Sequence, residues 1–303
     1  MHTGRGRAEP TGSRTNGDAV AGATSAREVE TTTADGVRLR GLLWSVDAPR
    51  GVVVISHGFG EHASAYERIA VDLNRRVGVD VVGFDYRGHG RSPGARGVLR
   101  RYEELVDDLL AGIEWASRHR PGLTRFLLGH SNGGQVALRV AAARPRSVDG
   151  VIVSNPALRI KLRVPRWKIL VGRALGKMVP TLTFASRIRP EVLTRDPVAA
   201  AAIRGDALRH ARMGPTFFFG LVAGGARLIE QAERITTPTV FIIGGADAVV
   251  DPLAAREMFD RLGATDKQFW LFPSMLHDPL LEVGREHVVD DLTRWLDARL
   301  PAR

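Results

Sequence analysis

Phe126-Leu127-Leu128-Gly129-His130-Ser131-Asn132-Gly133-Gly134-Gln135-Val136-Ala137-Leu138 is the stretch on which the reading of this chain turns. Arg125 to Leu128 reads as a short buried strand, and Gln135 to Ala143 as an alanine-rich helix. Between them, Gly-His-Ser-Asn-Gly matches the G-x-S-x-G pattern of a nucleophile elbow. A residue on such a sharp strand-to-helix turn has a strained backbone, and side chains two positions to either side would collide across it. Gly129 and Gly133 remove those side chains, so the hydroxyl of Ser131 can stand clear of the sheet. The helix that follows aims its free N–H groups at the place where negative charge would develop. The other reading is a plain strand–glycine turn–helix joint in which Ser131 caps the helix. Three fixed positions in five do not separate the two, so the rest of the chain decides.

Working outward, Gly51 to Ser56 is a continuous apolar, β-branched run, as in a strand buried on both faces. A helix pattern follows from about Ser64 to Arg76, then a strand from Val79 to Phe84, a helix from Tyr102 to Ser117 and, beyond Ser131, a strand from Gly150 to Ser154. This alternation predicts an α/β fold with a mostly parallel, doubly wound sheet. Upstream, two alternating segments between Arg27 and Val46 flank Ala34-Asp35-Gly36, a hairpin signal. Residues 1–26 hold one valine and no other large aliphatic residue, and read as a disordered basic tail. The alternation stops between Pro156 and Ile235, where short apolar helical runs are broken by Pro165, Pro180, Pro190, Pro197 and Pro215. It resumes with Thr239–Ile243, Leu253–Leu262, Lys267–Phe272 and Val283–Arg299. The predicted organisation is a core of residues 27–155 and 236–303 with an inserted helical cap, 156–235, over the strand ends where ligands bind in such sheets.

Composition narrows the class. A hydrophobic fraction of 44% in 303 residues provides for a sizeable core. No apolar run reaches the ~20 residues that span a bilayer, and no apolar stretch follows the basic N-terminus as in a signal peptide. A cytoplasmic protein, in contact with membrane at most from the outside, is expected. With no cysteine there is no disulfide, thiolate metal site or cysteine nucleophile. Residues 156–235 carry 15 basic and 5 acidic residues, so this segment alone accounts for the chain's net charge of +10. No nucleic-acid module or aromatic stacking motif accompanies it, and no nucleic-acid partner is expected.

A serine hydroxyl is a weak nucleophile that needs a base, and the base needs an orienting acid. After an elbow the expected order is Ser, acid, His. Asp247 follows the strand Thr239–Ile243 and the bend Gly244-Gly245-Ala246, while His277 follows the next strand, so both sit at strand ends on the face where Ser131 emerges. Asp251 is the rival acid, but it precedes Pro252 and reads as a helix N-cap. Asp278 and Glu282 flank His277 without a second histidine ligand nearby, so neither a metal nor a cofactor is expected. His119, His210 and His287 read as solvated helix residues, and His130 as packed beneath the turn. For the oxyanion, the N–H of Asn132 is one donor. The second is expected from His57-Gly58-Phe59-Gly60, with the N–H of Phe59 as candidate, each donor lowering the barrier by ~3–4 kcal/mol.

Taken together, His57-Gly58-Phe59-Gly60-Glu61-His62, Asp85-Tyr86-Arg87-Gly88-His89-Gly90-Arg91-Ser92, Gly129-His130-Ser131-Asn132-Gly133-Gly134, Gly244-x-x-Asp247 and His277-x-x-x-x-Glu282 resemble the monoacylglycerol lipase and lysophospholipase branch of the α/β-hydrolases. The similarity runs from about residue 30 to 299, and Thr194-Arg195-Asp196-Pro197 looks like that branch's cap. The resemblance implies an α/β-hydrolase fold and a serine esterase acting on monoacylglycerol or lysophospholipid-like lipid esters. Ser131 would be the nucleophile, Asp247 the acid, His277 the base, and Phe59 and Asn132 the oxyanion donors. The chain departs from the pattern at Asn132, where many relatives carry Met, and at Ala63-Ser64-Ala65-Tyr66, which bears on substrate choice. A thioesterase, a perhydrolase or a non-catalytic binding protein of the same fold remain the alternatives. The cap has two readings. Its apolar residues, among them Phe217 to Val222, line an acyl pocket with the cations keeping it soluble; or Leu158–Val164 and Trp167–Val171 also dock on anionic lipid.

Overall fold

Every residue of β3 (Gly51–Ser56) is buried, which is what a β-branched run does at the centre of a sheet covered on both faces. The computed structural model describes residues 26–161, 179, 181–186 and 188–302. Residues 1–25 of the expected tail and the Trp167–Val171 stretch of the expected cap therefore lie outside the described residues. The hairpin strands are β1 (Arg27–Thr32) and β2 (Arg38–Trp44), paired antiparallel with Arg27 opposite Leu43. The strands β4 (Asp80–Phe84), β5 (Thr124–His130), β6 (Gly150–Ser154), β9 (Thr239–Gly244) and β10 (Lys267–Phe272) complete an eight-stranded sheet. Its order is β1-β2-β4-β3-β5-β6-β9-β10, antiparallel up to the β2–β4 pair and parallel from β4 onward. The mostly parallel, doubly wound sheet is as the alternation predicts.

Helices cover both faces. On one side, α1 (Glu67–Val77) and α7 (Arg285–Asp297) bury Ile69, Leu73, Val288, Leu292 and Trp295 against Val53, Phe126 and Ile242. On the other, α2 (Glu104–His119), α3 (Asn132–Ala143) and α6 (Pro252–Arg261) pack Leu105, Leu109, Val136, Val140 and Met258 onto Val52, Val54, Leu127 and Phe241. α3 starts at Asn132, three residues before the helix propensity of the sequence would begin it. Gly133 and Gly134 are poor helix formers, but a Cβ on Gly133 would overlap the carbonyl oxygens of Ser56 and His57. Close packing thus overrides propensity there.

Between β6 and β9 the chain forms α4 (Pro197–Gly205), α5 (Pro215–Glu230) and a two-stranded ribbon, β7 (Phe184–Ala185) with β8 (Arg212–Met213). Pro197 and Pro215 open these helices, where the missing N–H is no loss. Asp196 caps α4 by accepting from the N–H groups of Val198 and Ala199. α5 sets Phe217, Leu221 and Leu228 into the core, and Gly225 lies where a Cβ would strike the Leu158 carbonyl. Among the described residues, no helix is long and apolar enough to cross a membrane.

The Asp85-Tyr86-Arg87 turn after β4 is held by buried charge. The Arg87 guanidinium donates to Asp108 at 2.6 and 2.9 Å and to Asp35 at 2.8 Å, and the Arg87 N–H reaches Asp108 at 2.9 Å. One side chain thereby joins the turn, α2 and the β1–β2 hairpin. Burial raises the Asp108 pKa even against Arg87, whereas the more open Asp35 is held well below the usual carboxylate range by its hydrogen bond to Arg87. Replacing Arg87 with Met leaves the Asp108 charge buried and unpaired. Urea unfolding should show Arg87→Met destabilised by about 3–5 kcal/mol; a loss below about 1 kcal/mol would show that this network contributes little.

Candidate active site

Ser131 is a non-glycine residue at positive φ (φ 53°, ψ −118°) between β5 and α3. Such a backbone costs of order 1–3 kcal/mol and persists only where its surroundings over-determine it. Here the Ser131 N–H donates to the Ser154 carbonyl at 2.9 Å, and its own carbonyl accepts from Ala157 and Gln135 at 2.9 and 3.1 Å. A Cβ on Gly129 would stand 2.6 Å from the Gly133 oxygen. Both glycines are therefore required for the turn, as the five-residue pattern suggests.

The structure brings together the three residues that the sequence places at strand ends. Ser131 Oγ is 2.9 Å from His277 Nε2, and His277 Nδ1 is 2.7 Å from Asp247 Oδ2. The other Asp247 oxygen accepts the N–H groups of Val249 and Val250 at 2.7 and 3.0 Å, which fixes the carboxylate. Asp251 caps α6 by accepting from the Leu253 N–H and pairs with Arg159, away from His277. Burial works to lower the His277 pKa. The charge of Asp247 and its hydrogen bond, aided by Asp278 and Glu61, outweigh that and leave it raised above the ordinary 6.5. An imidazole so placed can take the hydroxyl proton during attack and return it to a leaving group.

The Gly58–Gly60 loop follows the end of β3. Tyr86 N–H donates to His57 Nε2 at 3.0 Å, so the proton of this buried imidazole sits on Nδ1, which reaches the Gly58 carbonyl at 2.9 Å. Burial pushes the His57 pKa down, in keeping with a neutral ring. The same carbonyl accepts the Glu61 N–H at 3.3 Å. Because C=O and N–H of a trans peptide point in opposite directions, pinning that oxygen also aims the Phe59 N–H. Asn132 supplies its N–H at the first position of α3, ahead of the first intrahelical bond. Its side chain is buried and accepts from Tyr102 Oη at 2.5 Å.

Two partners, Asn155 and Lys161, carry no strong sequence signal. Asn155, at φ 39°, donates to the Leu276 and His277 carbonyls at 3.1 and 2.7 Å and accepts the Gly244 N–H at 2.9 Å, tying β6 and β9 to the His277 loop. Lys161 Nζ donates to the Asp247 carbonyl at 2.8 Å. Glu282 accepts from Leu276 and Arg195, anchoring the Thr194-Arg195-Asp196 run beside His277. His130 is buried with its ring 4.9 Å from that of His277. His119 and His287 are exposed on helices, but His210 is not a solvated helix residue. It is half-buried between α4 and β8, with its ring against those of Phe59 and His89, because the fold seats the turn that carries it on the Gly58–Gly60 loop. Glu61, His130 and Asp278 present ligand-type atoms within 4.8 Å of one another. The Glu61 oxygens there already face Arg209, Tyr66 and the Gly58 N–H, so the guanidinium is the cation of this cluster.

Residues 47–284 match the Hydrolase_4 family, described as serine aminopeptidase, S33. A monoacylglycerol lipase of Mycolicibacterium smegmatis is 31% identical over 88% of this chain and 95% of its own length. The phospholipase YtpA of Bacillus subtilis is 28% identical over 81% of this chain and 94% of its own. The crystal structure of Paleococcus ferrophilus monoacylglycerol lipase superposes with a TM-score of 0.77 at 30% identity, covering 91% of this chain and 99% of that one.

If Asp247 orients His277, then Asp247→Asn leaves the imidazole in the wrong tautomer and should lower kcat by about 10⁴. Asp251→Asn should stay within a few-fold of the parent. Since His277 must be neutral to accept a proton, kcat/KM of the parent should fall on the acid side with a midpoint above 6.5. In Asp247→Asn the largest raising influence is gone, and the residual activity should persist to lower pH. A crippled Asp251→Asn enzyme beside an active Asp247→Asn enzyme would reverse the assignment.

Proposed function

Because the chain belongs to the Hydrolase_4 (serine aminopeptidase, S33) family, and within it to the monoacylglycerol lipase branch of the α/β-hydrolases, we propose that Ser131, His277 and Asp247 are the triad with which it cleaves monoacylglycerols. The protein is a carboxylic ester hydrolase. The continuous relay from Ser131 Oγ through His277 to Asp247, at 2.9 and 2.7 Å, carries the reading. Ser131 Oγ attacks the ester carbonyl as His277 Nε2 takes its proton. The tetrahedral oxyanion is met by the N–H groups of Phe59 and Asn132, each lowering the barrier by ~3–4 kcal/mol. His277 returns the proton to the departing alkoxide, giving glycerol and an acyl-Ser131. Water, deprotonated by the same imidazole, then releases the fatty acid, while Asp247 holds Nδ1–H throughout.

Residues 156–235 act in this reading as the cap over the strand ends. The described part reaches all three loops: Lys161 the Asp247 loop, Arg195 the His277 loop and His210 the Gly58–Gly60 loop. The segment's surplus of basic residues fits contact with anionic headgroups, each cation adding ~1 kcal/mol near such a surface. Lysophospholipids are the second substrate class, favoured by the phospholipase among the relatives.

Ser131→Ala should lose labelling by a fluorophosphonate probe and lower kcat for p-nitrophenyl esters and monoacylglycerols by about 10⁴ or more, leaving only the residual rate that the oxyanion donors and binding support. Undiminished turnover by that variant would refute the mechanism. In the parent, kcat/KM for monoacylglycerols should exceed that for lysophospholipids of the same acyl chain, and the reverse ratio would select the second class. Sedimentation with anionic vesicles should be strong at low salt and weak at high salt; equal binding to neutral vesicles would show that charge does not direct it.

A further inference from the structure

Glu61 carries a carboxylate into the protein beside the Gly58–Gly60 loop and is 6% exposed. Its Oε2 accepts the Gly58 N–H at 2.9 Å and the Tyr66 hydroxyl at 2.7 Å, while its own N–H reaches the Gly58 carbonyl. Glu61 therefore grips the Gly58 residue from both sides, and with it the peptide whose N–H belongs to Phe59. The remaining oxygen, Oε1, accepts from Arg209 at 3.0 Å. Burial works to raise the Glu61 pKa, and Arg209 is the largest of the influences that hold it well below the usual carboxylate range.

Arg209 comes from the turn between α4 and β8, and that turn lies directly on the loop. His210 N–H donates to the Gly60 carbonyl at 3.0 Å, and a Cβ on Gly60, at φ 72°, would overlap the His210 oxygen. His62 Nε2 is 2.6 Å from Asp206 Oδ2. The Phe59 ring stands edge-on to His210 and Phe217, at 5.6 and 5.1 Å between centroids. Two glycines leave the loop few restraints of its own beyond the His57 and Glu61 bonds to the Gly58 carbonyl, so these outside contacts help to set its shape.

We propose that Arg209 is a positioning residue for the oxyanion hole: by holding Glu61 it fixes the Gly58–Phe59 peptide, so the hole is formed only when the 206–210 turn is seated on the loop. This rests on the reading of Phe59 as an oxyanion donor in a serine hydrolase. Arg209 pairs with Glu61 and Asp206 and takes no part in the Ser131–His277–Asp247 bonds, so its effect is confined to the direction of one amide. A misdirected donor weakens transition-state stabilisation while leaving the ester's apolar binding intact, so the loss falls on kcat and spares KM.

The test compares the parent with Arg209→Met, Arg209→Lys, Glu61→Gln and the double variant Glu61→Gln/Arg209→Met. An alkyl trifluoromethyl ketone serves as the probe, because its adduct with serine places an oxyanion in the hole. Arg209→Met should lose about 10- to 100-fold in kcat with KM within about twofold, part of the roughly 10²–10³ that removing one donor costs. Affinity for the ketone should fall by the same factor, and Arg209→Lys should recover part of both. If Arg209→Met does not fold because the Glu61 charge is stranded, the double variant removes that charge. It should then match Glu61→Gln in kcat and in ketone affinity. A parent-like kcat and ketone affinity in Arg209→Met, or a further loss in the double variant beyond Glu61→Gln, overturns the inference while leaving the hydrolase reading intact. A parent that neither turns over esters nor reacts with a fluorophosphonate overturns both.

Discussion

The close approach of α3 to the end of β3 is the constraint on which the rest of the molecule depends. With no side chain on Gly133, the first turn of α3 comes against the Ser56 and His57 carbonyls, and Ser56 Oγ donates to the Gly133 carbonyl at 2.7 Å. That contact forces the sharp turn at Ser131 and sets its hydroxyl off the strand end. It also puts the start of α3 next to the loop that continues from β3. The Ser131 hydroxyl, the start of α3 and the Gly58–Gly60 loop are therefore brought together from separate elements. The strain at Ser131 is held by its bonds to Ser154 at the end of β6 and to Ala157 just beyond it.

Around this point the structure supplies support from a distance. Asn155 joins β9 to the His277 loop, Lys161 holds the Asp247 backbone, and Arg195 with Thr194 fastens the far side of His277 through Glu282 and Leu281. The residues that touch these loops come largely from the chain between β6 and β9. The placement of the Asp247 and His277 loops consequently depends on that segment as well as on the sheet.

What was legible in the sequence follows from locality. The parallel sheet could be read from β-branched runs and helix periodicity, because each strand carries its own burial pattern. The convergence of Ser131, Asp247 and His277 could be read because each sits just past a strand, in an order that a known elbow implies. Asn155 and Arg209 could not. Their partners lie 89 to 148 positions away, and neither residue type in a loop declares what it will meet. The start of α3 was misplaced by three residues because glycine propensity argues against a helix where tertiary packing demands one. A lone histidine reads as a solvated helix residue, whereas the fold brings the rings of Phe59 and His89 to the side of His210.

The account stands on a covalent step at one side chain. Rapid-quench mass spectrometry of the protein during turnover of a monoacylglycerol measures that step directly. The account predicts a transient mass increase equal to the acyl group, mapped to the peptide containing Ser131 and decaying as fatty acid appears. Turnover with no adduct, or with the acyl group on another residue, would contradict it.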